Sequence, residues 1–224
     1  MDTSTPAGAV MARTNETYRR LFGDWLAKDY HKHTWARFRD GLLRLAGLGR
    51  ILEVGFGSAP DAQYLKQLFG RYTGIDLCEE FVEACKENFP GLDLQVLDLF
   101  ALHKKFKRGM FRAFWCAAVL LHIPPTLIDE ALANLNYVTM LGGYGFISVK
   151  IGVDEGIRIE DSDGGEYERY FKFWQPDEFF PVLKRNGFEV VWHDDEYQDP
   201  QAEGVTWLVV YVRKVAETTF KFND

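Results

Sequence analysis

Short apolar runs alternate along the chain with segments whose apolar residues recur every three or four positions. The runs predict buried strands, and they lie at 51–54, 72–77, 92–97, 111–117 and 144–149. The segments with helical spacing predict helices, and they lie at 62–69, 81–89, 128–138 and 176–185. Strands that alternate with helices form a mostly parallel sheet with helices on both faces. We therefore predict a doubly wound α/β fold whose ligands bind at the carboxyl ends of the strands.

Apolar residues at helical spacing also precede the first strand and predict two N-terminal helices. They are Tyr18, Leu21, Phe22, Trp25 and Leu26 in the first helix, and Trp35, Phe38, Leu42, Leu43 and Leu45 in the second. The simplest interpretation of these aromatic residues is core packing. The alternative is that Tyr18, Trp25 or Tyr30 closes over a bound ligand.

The chain beyond residue 150 is organised differently. Many acidic residues and glycines at 154–168 favour an exposed, lid-like insertion at about 152–172. The β-rich stretches 188–193 and 206–213 follow, separated by a proline and a glycine. We expect these two stretches to pair as antiparallel strands.

The ends of the chain are predicted to lie outside the folded unit. Residues 1–12 are small and polar, as in a flexible N-terminus, and 216–224 reads as a C-terminal tail. A single domain at 13–215 remains. His31 and His33 stand two positions apart and share no helix face, so we expect no metal site there.

A glycine turn follows the first strand. Gly55 and Gly57 lack a Cβ, which lets the backbone turn sharply and approach a ligand closely. Pro60 and Asp61 then suit the first turn of a helix, because proline needs no N–H there and an acid complements the helix dipole. A strand, a glycine turn and a helix start together predict a nucleotide-binding platform.

The charge balance narrows the range of partners. A net charge of −7 and a pI near 5.3 argue against nucleic acid as the main partner, because such binding depends on many Lys and Arg residues. The chain has one short basic run, which consists of Lys104, Lys105, Lys107 and Arg108. We interpret this run as a solvated loop.

The cysteines and the hydropathy pattern indicate a cytoplasmic protein. Cys78, Cys85 and Cys116 are odd in number and lack metal-type spacing, which favours free thiols in a reducing compartment. We expect no membrane partner, because no apolar run approaches a membrane span and the start has no secretory pattern.

Asp76 lies about twenty residues beyond the first glycine, where dinucleotide-binding proteins carry a ribose-binding acid. The glycine spacing argues against a dinucleotide. That fingerprint needs a third small residue where this chain has Pro60. Instead, Glu53 precedes the turn by two residues, and Asp76 and Asp98 end the next two strands.

This arrangement resembles the class I S-adenosylmethionine-dependent methyltransferases, over roughly residues 18–213. The matching motifs are Glu53–Gly57, Gly74–Leu77, Leu97–Leu99, Phe114–Pro124 and Leu141–Gly145. The family usually has a third glycine where this chain has Ala59, which is a small change. The resemblance implies a seven-stranded, mostly parallel sheet with an antiparallel final strand, helices on both faces and an N-terminal helical cap.

The resemblance also implies a set of residues that bind S-adenosylmethionine. The set is Tyr18, Glu53, Gly55, Gly57, Asp61, Asp76, Leu77, Asp98, Leu99, Cys116 and Ala117. Asp76 would accept hydrogen bonds from the ribose hydroxyls and Asp98 from the adenine amine. The carbonyl of Cys116 or Ala117 would hold the ammonium group. Asp61 has the alternative role of a simple first-turn acid.

His122 follows the fourth strand and is the candidate catalytic base, because its ordinary pKa suits neutral pH. The alternative is a loop histidine that only orders the substrate wall. Lys150, Tyr170 and Trp174 are predicted to line the acceptor pocket. Their partly aromatic character favours a partly apolar small molecule.

The leading hypothesis is a methyltransferase that acts on an oxygen or nitrogen of a small-molecule metabolite, as a monomer or homodimer. Three alternatives remain open at this point. They are an RNA-modifying methyltransferase, a protein that binds S-adenosylmethionine without chemistry, and an NAD-dependent oxidoreductase.

Overall fold

The computed structural model describes residues 4–27, 35–162 and 165–222. Seven strands form the central sheet, in the spatial order β3-β2-β1-β4-β5-β9-β8. Their bounds are Gly49–Val54 for β1, Gly70–Asp76 for β2, Leu94–Val96 for β3, Phe111–Ala117 for β4, Thr139–Lys150 for β5, Phe188–Gln198 for β8 and Thr206–Lys214 for β9. Strand β9 runs antiparallel between β5 and β8, while β1 to β5 pair in parallel. The predicted sheet is thereby confirmed.

Seven α-helices accompany the sheet within the described residues. They are α1 Pro6–Ala27, α2 Ala36–Ala46, α3 Ala62–Phe69, α4 Glu79–Asn88, α5 Leu102–Lys105, α6 Ile128–Val138 and α7 Pro176–Arg185. The sequence explains their limits. Pro176 opens α7 where a missing N–H has no cost, and Asp177 and Glu178 follow in its first turn. No helix in the described ranges is long and apolar enough to cross a bilayer.

The core lies between the sheet and its helices, and aromatic residues fill its centre. Trp115 on β4 stacks on Phe146 of β5, with ring centroids 3.8 Å apart. Trp35, just before α2, packs edge-on against Phe146 and Trp207. This packing confirms that much of the predicted N-terminal aromatic pattern belongs to the core.

The insertion after β5 is a two-stranded hairpin, formed by β6 Glu155–Ser162 and β7 Gly165–Lys172. The hairpin packs against α1. Thr17 Oγ1 donates to the carbonyl oxygen of Glu168 at 2.6 Å, and the N–H of Tyr170 donates to Thr14 Oγ1 at 2.9 Å. Helix α1 and this hairpin together form a cover over the carboxyl edge of the sheet, and we call them the cover.

Helix α1 begins at Pro6, inside the segment 1–12 that we predicted to be flexible. The reason is local capping, since Thr5 Oγ1 accepts a hydrogen bond from the N–H of Gly8. The C-terminal segment is also held to the fold. Asn136 bonds both Ala216 and Thr218, so this part of the predicted tail lies against α6.

Helix α6 spans Ile128–Val138, as the helical spacing predicted. The buried ammonium group of Lys214 stabilises its carboxyl end. It donates to the carbonyl oxygens of Asn136 and Thr139, at 2.8 and 2.9 Å. These bonds satisfy two carbonyl groups at the end of the helix.

Candidate functional site

A cavity of about 230 Å³ opens at the carboxyl ends of β1, β2, β3 and β4. Two groups of elements build its wall. The turns after these four strands supply one side, and α1 of the cover supplies Met11, Thr14, Asn15 and Tyr18. Ligands of doubly wound sheets bind at this position, so the cavity is the candidate active site.

The glycine turn after β1 forms one wall of the cavity. Gly55 and Gly57 both have positive φ, +69° and +52°, which favours glycine. A Cβ on Gly55 would lie 2.4 Å from Val119 Cγ2, whereas a Cβ on Gly57 would meet no atom within 4 Å. Gly55 is therefore required by packing. Gly57 leaves open space where a ligand can approach the backbone.

Ala59 completes the turn with φ of +60°, although it is a buried residue with a side chain. It stands where the resembling family usually has a glycine. A left-handed conformation costs a non-glycine residue roughly 1–2 kcal/mol. The turn is therefore held in place by its surroundings, including the bond from the Ala59 N–H to the Phe56 carbonyl oxygen at 2.8 Å.

Asp76 ends β2 and both of its carboxylate oxygens accept backbone hydrogen bonds. The N–H of Gly57 donates to Oδ2 and the N–H of Cys78 donates to Oδ1, each at 2.9 Å. Burial raises the pKa of Asp76, and these backbone donors oppose that rise. Each carboxylate oxygen has a second lone pair, so Asp76 retains the capacity to accept two hydroxyl donors.

Asp98 follows β3 and caps a short 3₁₀ turn, accepting from the N–H of Phe100 at 3.0 Å. The two leucines of the predicted binding set differ in exposure. Leu77 is 39% exposed, whereas Leu99 is 7% exposed. Both line the cavity together with Asp98. The arrangement presents two apolar surfaces and one acceptor to a flat ring system.

Glu53 is buried at the end of β1, where Tyr72 Oη donates to its Oε2 at 2.5 Å. Burial, reinforced by the charge of Asp61, raises the pKa of Glu53 to about 8, although the Tyr72 hydrogen bond and Arg39 oppose the rise. Glu53 is therefore largely protonated at neutral pH. A cationic ligand beside it would favour release of that proton.

Asp61 precedes α3 and forms a buried ion pair with the guanidinium of Arg39 from α2. Trp115 Nε1 donates to the other carboxylate oxygen at 3.3 Å. This residue lines the cavity, yet both of its oxygens are bonded within the protein. Asp61 therefore acts as an ion-pair partner within the fold and lies one residue before α3 rather than in its first turn, while its predicted contact with S-adenosylmethionine stays a prediction.

Tyr18 and His122 meet on the acceptor side of the cavity. Tyr18 Oη lies 2.8 Å from His122 Nε2, and His122 Nδ1 lies 2.7 Å from the carbonyl oxygen of Tyr170. A carbonyl only accepts, so Nδ1 carries the proton and Nε2 accepts from the Tyr18 hydroxyl. Arg169 Nη1 donates to Tyr18 Oη at 3.1 Å. The four residues form one connected chain of hydrogen bonds.

The surroundings of His122 keep its imidazole neutral. Burial and, to a smaller extent, the charge of Arg169 lower the pKa of His122 to about 3, although the hydrogen bond to the Tyr170 carbonyl opposes them. Burial and Arg169 also lower the pKa of Lys150 to about 8. An imidazolium is disfavoured between these cations, so His122 has its base form throughout the physiological range.

Four residues of the predicted set do not line the cavity. Cys116 is fully buried within β4, and the wall begins only at Ala117. Lys150 turns its ammonium group onto the ring of Phe171, 4.6 Å away. Tyr170 contributes its backbone carbonyl rather than its buried ring, and Trp174 packs against Phe179. Position at a strand end did not reveal which way these side chains turn.

Some residues of the wall were missed. Met11, Thr14 and Asn15 lie on the same face of α1 as Tyr18, at the spacing i, i+3, i+4 and i+7. Because these residues include both polar and apolar types, a search for apolar periodicity does not detect this face of α1. Tyr30, His31 and His33 lie outside the described residues, as does the side chain of Trp25.

Comparison with known proteins agrees with this geometry. Residues 51–143 match the family model described as a methyltransferase domain. No curated protein matches the chain significantly. The matched region contains the glycine turn, the three strand-end carboxylates and His122.

Solved structures share the fold at low sequence identity. The Burkholderia thailandensis 1,6-didemethyltoxoflavin-N1-methyltransferase, with bound 1,6-didemethyltoxoflavin and S-adenosylhomocysteine, is 18% identical with a TM-score of 0.73, over 95% of this chain and 92% of that chain. The DhpI-SAH complex is 18% identical with a TM-score of 0.70, over 92% and 97%. The [4+2]-cyclase SpnF is 18% identical with a TM-score of 0.60, over 80% of each chain.

The family match and the fold agree with the motifs found at the strand ends. Residues 51–143 of the chain are therefore similar to a methyltransferase domain, and the chain shares its fold with solved S-adenosylmethionine-dependent methyltransferases.

Proposed function

We propose that the protein transfers the methyl group of S-adenosylmethionine to an oxygen or nitrogen of a small molecule. One observation carries the proposal. A single cavity is lined by the carboxylates Asp76 and Asp98 and also by Tyr18 and His122. Groups suited to the methyl donor and groups suited to an acceptor therefore border the same space, as a direct transfer requires.

The residues present fit the methyl donor. Asp76 retains lone pairs for a ribose diol, Asp98 offers an acceptor to the adenine amine, and Leu77 and Leu99 would enclose the ring. Open space beside Gly57 admits the amino acid part along the backbone. When bound, S-adenosylmethionine supplies a methyl group activated by the positive charge on sulfur.

The cover favours a small acceptor over a macromolecule. Thr14 and Thr17 bond α1 to the hairpin, and Arg19 bonds α1 to Glu80 of α4 at 2.8 Å. The first two contacts hold the two parts of the cover together, and the third ties the cover to α4 beside the cavity. A metabolite fits beneath such a cover more readily than the backbone of a nucleic acid.

We further propose that Tyr18 and His122 remove the acceptor's proton. An acceptor atom that takes up the methyl group would carry a surplus proton and would be more acidic than before the transfer. That proton passes to Tyr18 Oη while the Tyr18 proton moves to His122 Nε2, 2.8 Å away. A weak base suffices for this step, which fits the low pKa of His122.

The test is a screen of small oxygen and nitrogen nucleophiles with S-adenosylmethionine labelled at the methyl group. Label should appear in a small-molecule product together with one equivalent of S-adenosylhomocysteine. Transfer of label to RNA in place of small molecules would overturn the assignment of the acceptor class. SpnF, a cyclase in name, shares the fold, so the product itself must be detected.

A further inference from the structure

Three arginines stand side by side at the amino ends of the central strands, opposite the cavity. Arg50 of β1 is the register partner of Arg71 of β2. Arg112 of β4 directly precedes Ala113, which pairs with Ile51, so it lies level with Arg50. Register partners point to the same face of a sheet, and neighbouring strands are about 4.8 Å apart. These three residues form what we call the arginine row.

The arginine row lines a groove of about 640 Å³, and Lys105 and Lys107 line it too. These lysines belong to the basic run that we had interpreted as a solvated loop. The other lining residues are Phe106, Gly109, Met110 and Met140. Five cationic side chains and no carboxylate therefore line the groove, in a chain whose net charge is −7.

The cationic side chains of this groove repel one another, and no acidic side chain in its lining offsets their charge. Like charges placed opposite each other on neighbouring strands are destabilising. Arg112 donates to the carbonyl oxygen of Ala46, and neighbouring Arg108, outside the groove, pairs with Glu217 at 2.6 Å. No ion pair recorded between described residues involves Arg50 or Arg71. A bound anion would relieve this repulsion.

We propose that this groove binds a small ligand with two or more linked phosphate groups, such as the polyphosphate part of a nucleotide. Guanidinium groups bind phosphate through paired hydrogen bonds, and adjacent members of the row can each contact one phosphate. Five cationic side chains line one groove of a chain whose net charge is −7, which favours a compact anion over an extended nucleic acid. The site is separate from the methyl-donor cavity.

Calorimetric titration with tripolyphosphate at low salt tests this proposal. The wild-type protein should bind with a stoichiometry of one, and affinity should fall steeply as salt is added. The double variant Arg71→Gln/Lys107→Gln should bind at least tenfold more weakly, because both exposed cations are lost. The matched control, Lys86→Gln/Lys184→Gln, removes two exposed cations from α4 and α7 and should bind like the wild type.

Three results would overturn the proposal. Absence of wild-type binding, or equal weakening in the control variant, would show that the groove has no specific affinity for phosphate. Tighter binding of a twelve-nucleotide RNA than of tripolyphosphate would assign the groove to nucleic acid instead. Affinity for S-adenosylhomocysteine should be the same in all variants, which separates this test from that of the proposed activity.

Discussion

The carboxyl and amino ends of strands β1 and β2 carry acidic and basic side chains, respectively, that are held in different ways. At the carboxyl ends, Glu53 and Asp76 are partly or fully buried and already hydrogen-bonded by Tyr72 or by backbone N–H groups. At the amino ends, Arg50 and Arg71 are more exposed and lie side by side. The first arrangement positions acceptors for particular donors, whereas the second creates a positive field.

This difference predicts different responses to mutation and to salt. A fixed acceptor loses affinity when one carboxylate oxygen is replaced, because a directed hydrogen bond disappears. A field of several cations loses affinity in smaller steps and is screened by salt. Single substitutions beside the carboxyl ends should therefore have large effects that added salt does not reproduce.

Removal of the proposed base should have the largest effect. We expect His122→Ala to lower turnover by about a hundredfold or more, because general bases contribute that much. Affinity for S-adenosylhomocysteine should stay within about twofold of wild type, and Tyr18→Phe should lower turnover in the same direction. Steady-state rates and calorimetry on each variant provide the measurements. Unchanged turnover in both variants would reduce the pair to a substrate wall.

The pH profile sharpens this prediction. The pKa of His122 is lowered to about 3 from its ordinary 6.5, so the base form persists as the pH falls through 6.5. Turnover should therefore show no loss centred near pH 6.5. An inflection there, absent from the His122→Ala profile, would contradict the buried and neutral imidazole.

Asp76→Asn should weaken binding of S-adenosylhomocysteine by about fiftyfold, because an amide nitrogen cannot accept from a ribose hydroxyl. Its control is Glu87→Gln, which changes an exposed carboxylate on α4 and should bind normally. Calorimetry measures both affinities. Equal affinity of Asp76→Asn and wild type would mean that the carboxylate does not contact the ligand.

Glu53 should make stability depend on pH. Its pKa is raised from 4.5 to about 8, so between these values the folded protein keeps a proton that the unfolded chain has released. The free energy of unfolding should therefore fall as the pH rises through this window. Relative to Glu53→Gln, we expect the wild type to lose about 3 kcal/mol between pH 5 and 8. Urea unfolding at each pH measures the difference, and parallel curves would refute it.

Ala59→Gly should have the smallest effect. Glycine adopts the observed φ of +60° without strain, although it adds entropy to the unfolded chain. We expect the free energy of unfolding to rise by up to about 1 kcal/mol. Thermal and urea unfolding should agree on the sign. A clear destabilisation would show that the Ala59 methyl group contributes more through packing than the strain costs.

Sequence patterns predicted the sheet and the carboxylate side of the cavity well. Alternation of apolar runs and helical segments fixes the order of elements, and an acid at the end of a parallel strand must reach its carboxyl edge. Asp76 and Asp98 were placed in this way. The same reasoning did not distinguish Cys116 from Ala117, because one residue decides whether a group is still inside the strand.

The acceptor side depends on contacts between distant parts of the chain. Tyr18 and His122 are 104 positions apart, and Arg169 comes from the hairpin, so their hydrogen bonds have no local signature. The sequence did not reveal the arginine row for a similar reason. In the sequence, each arginine reads as a solvated residue at the start of a strand. Only the register of the strands shows that the three arginines lie side by side.

The carboxyl ends of the strands should bind S-adenosylmethionine. Calorimetric titration of the wild-type protein with S-adenosylhomocysteine, repeated in the presence of excess NAD, tests it most directly. We predict saturable binding of one equivalent, competed by S-adenosylmethionine and unaffected by NAD. Binding of NAD in place of S-adenosylhomocysteine, or no binding of either by the folded protein, would contradict the account.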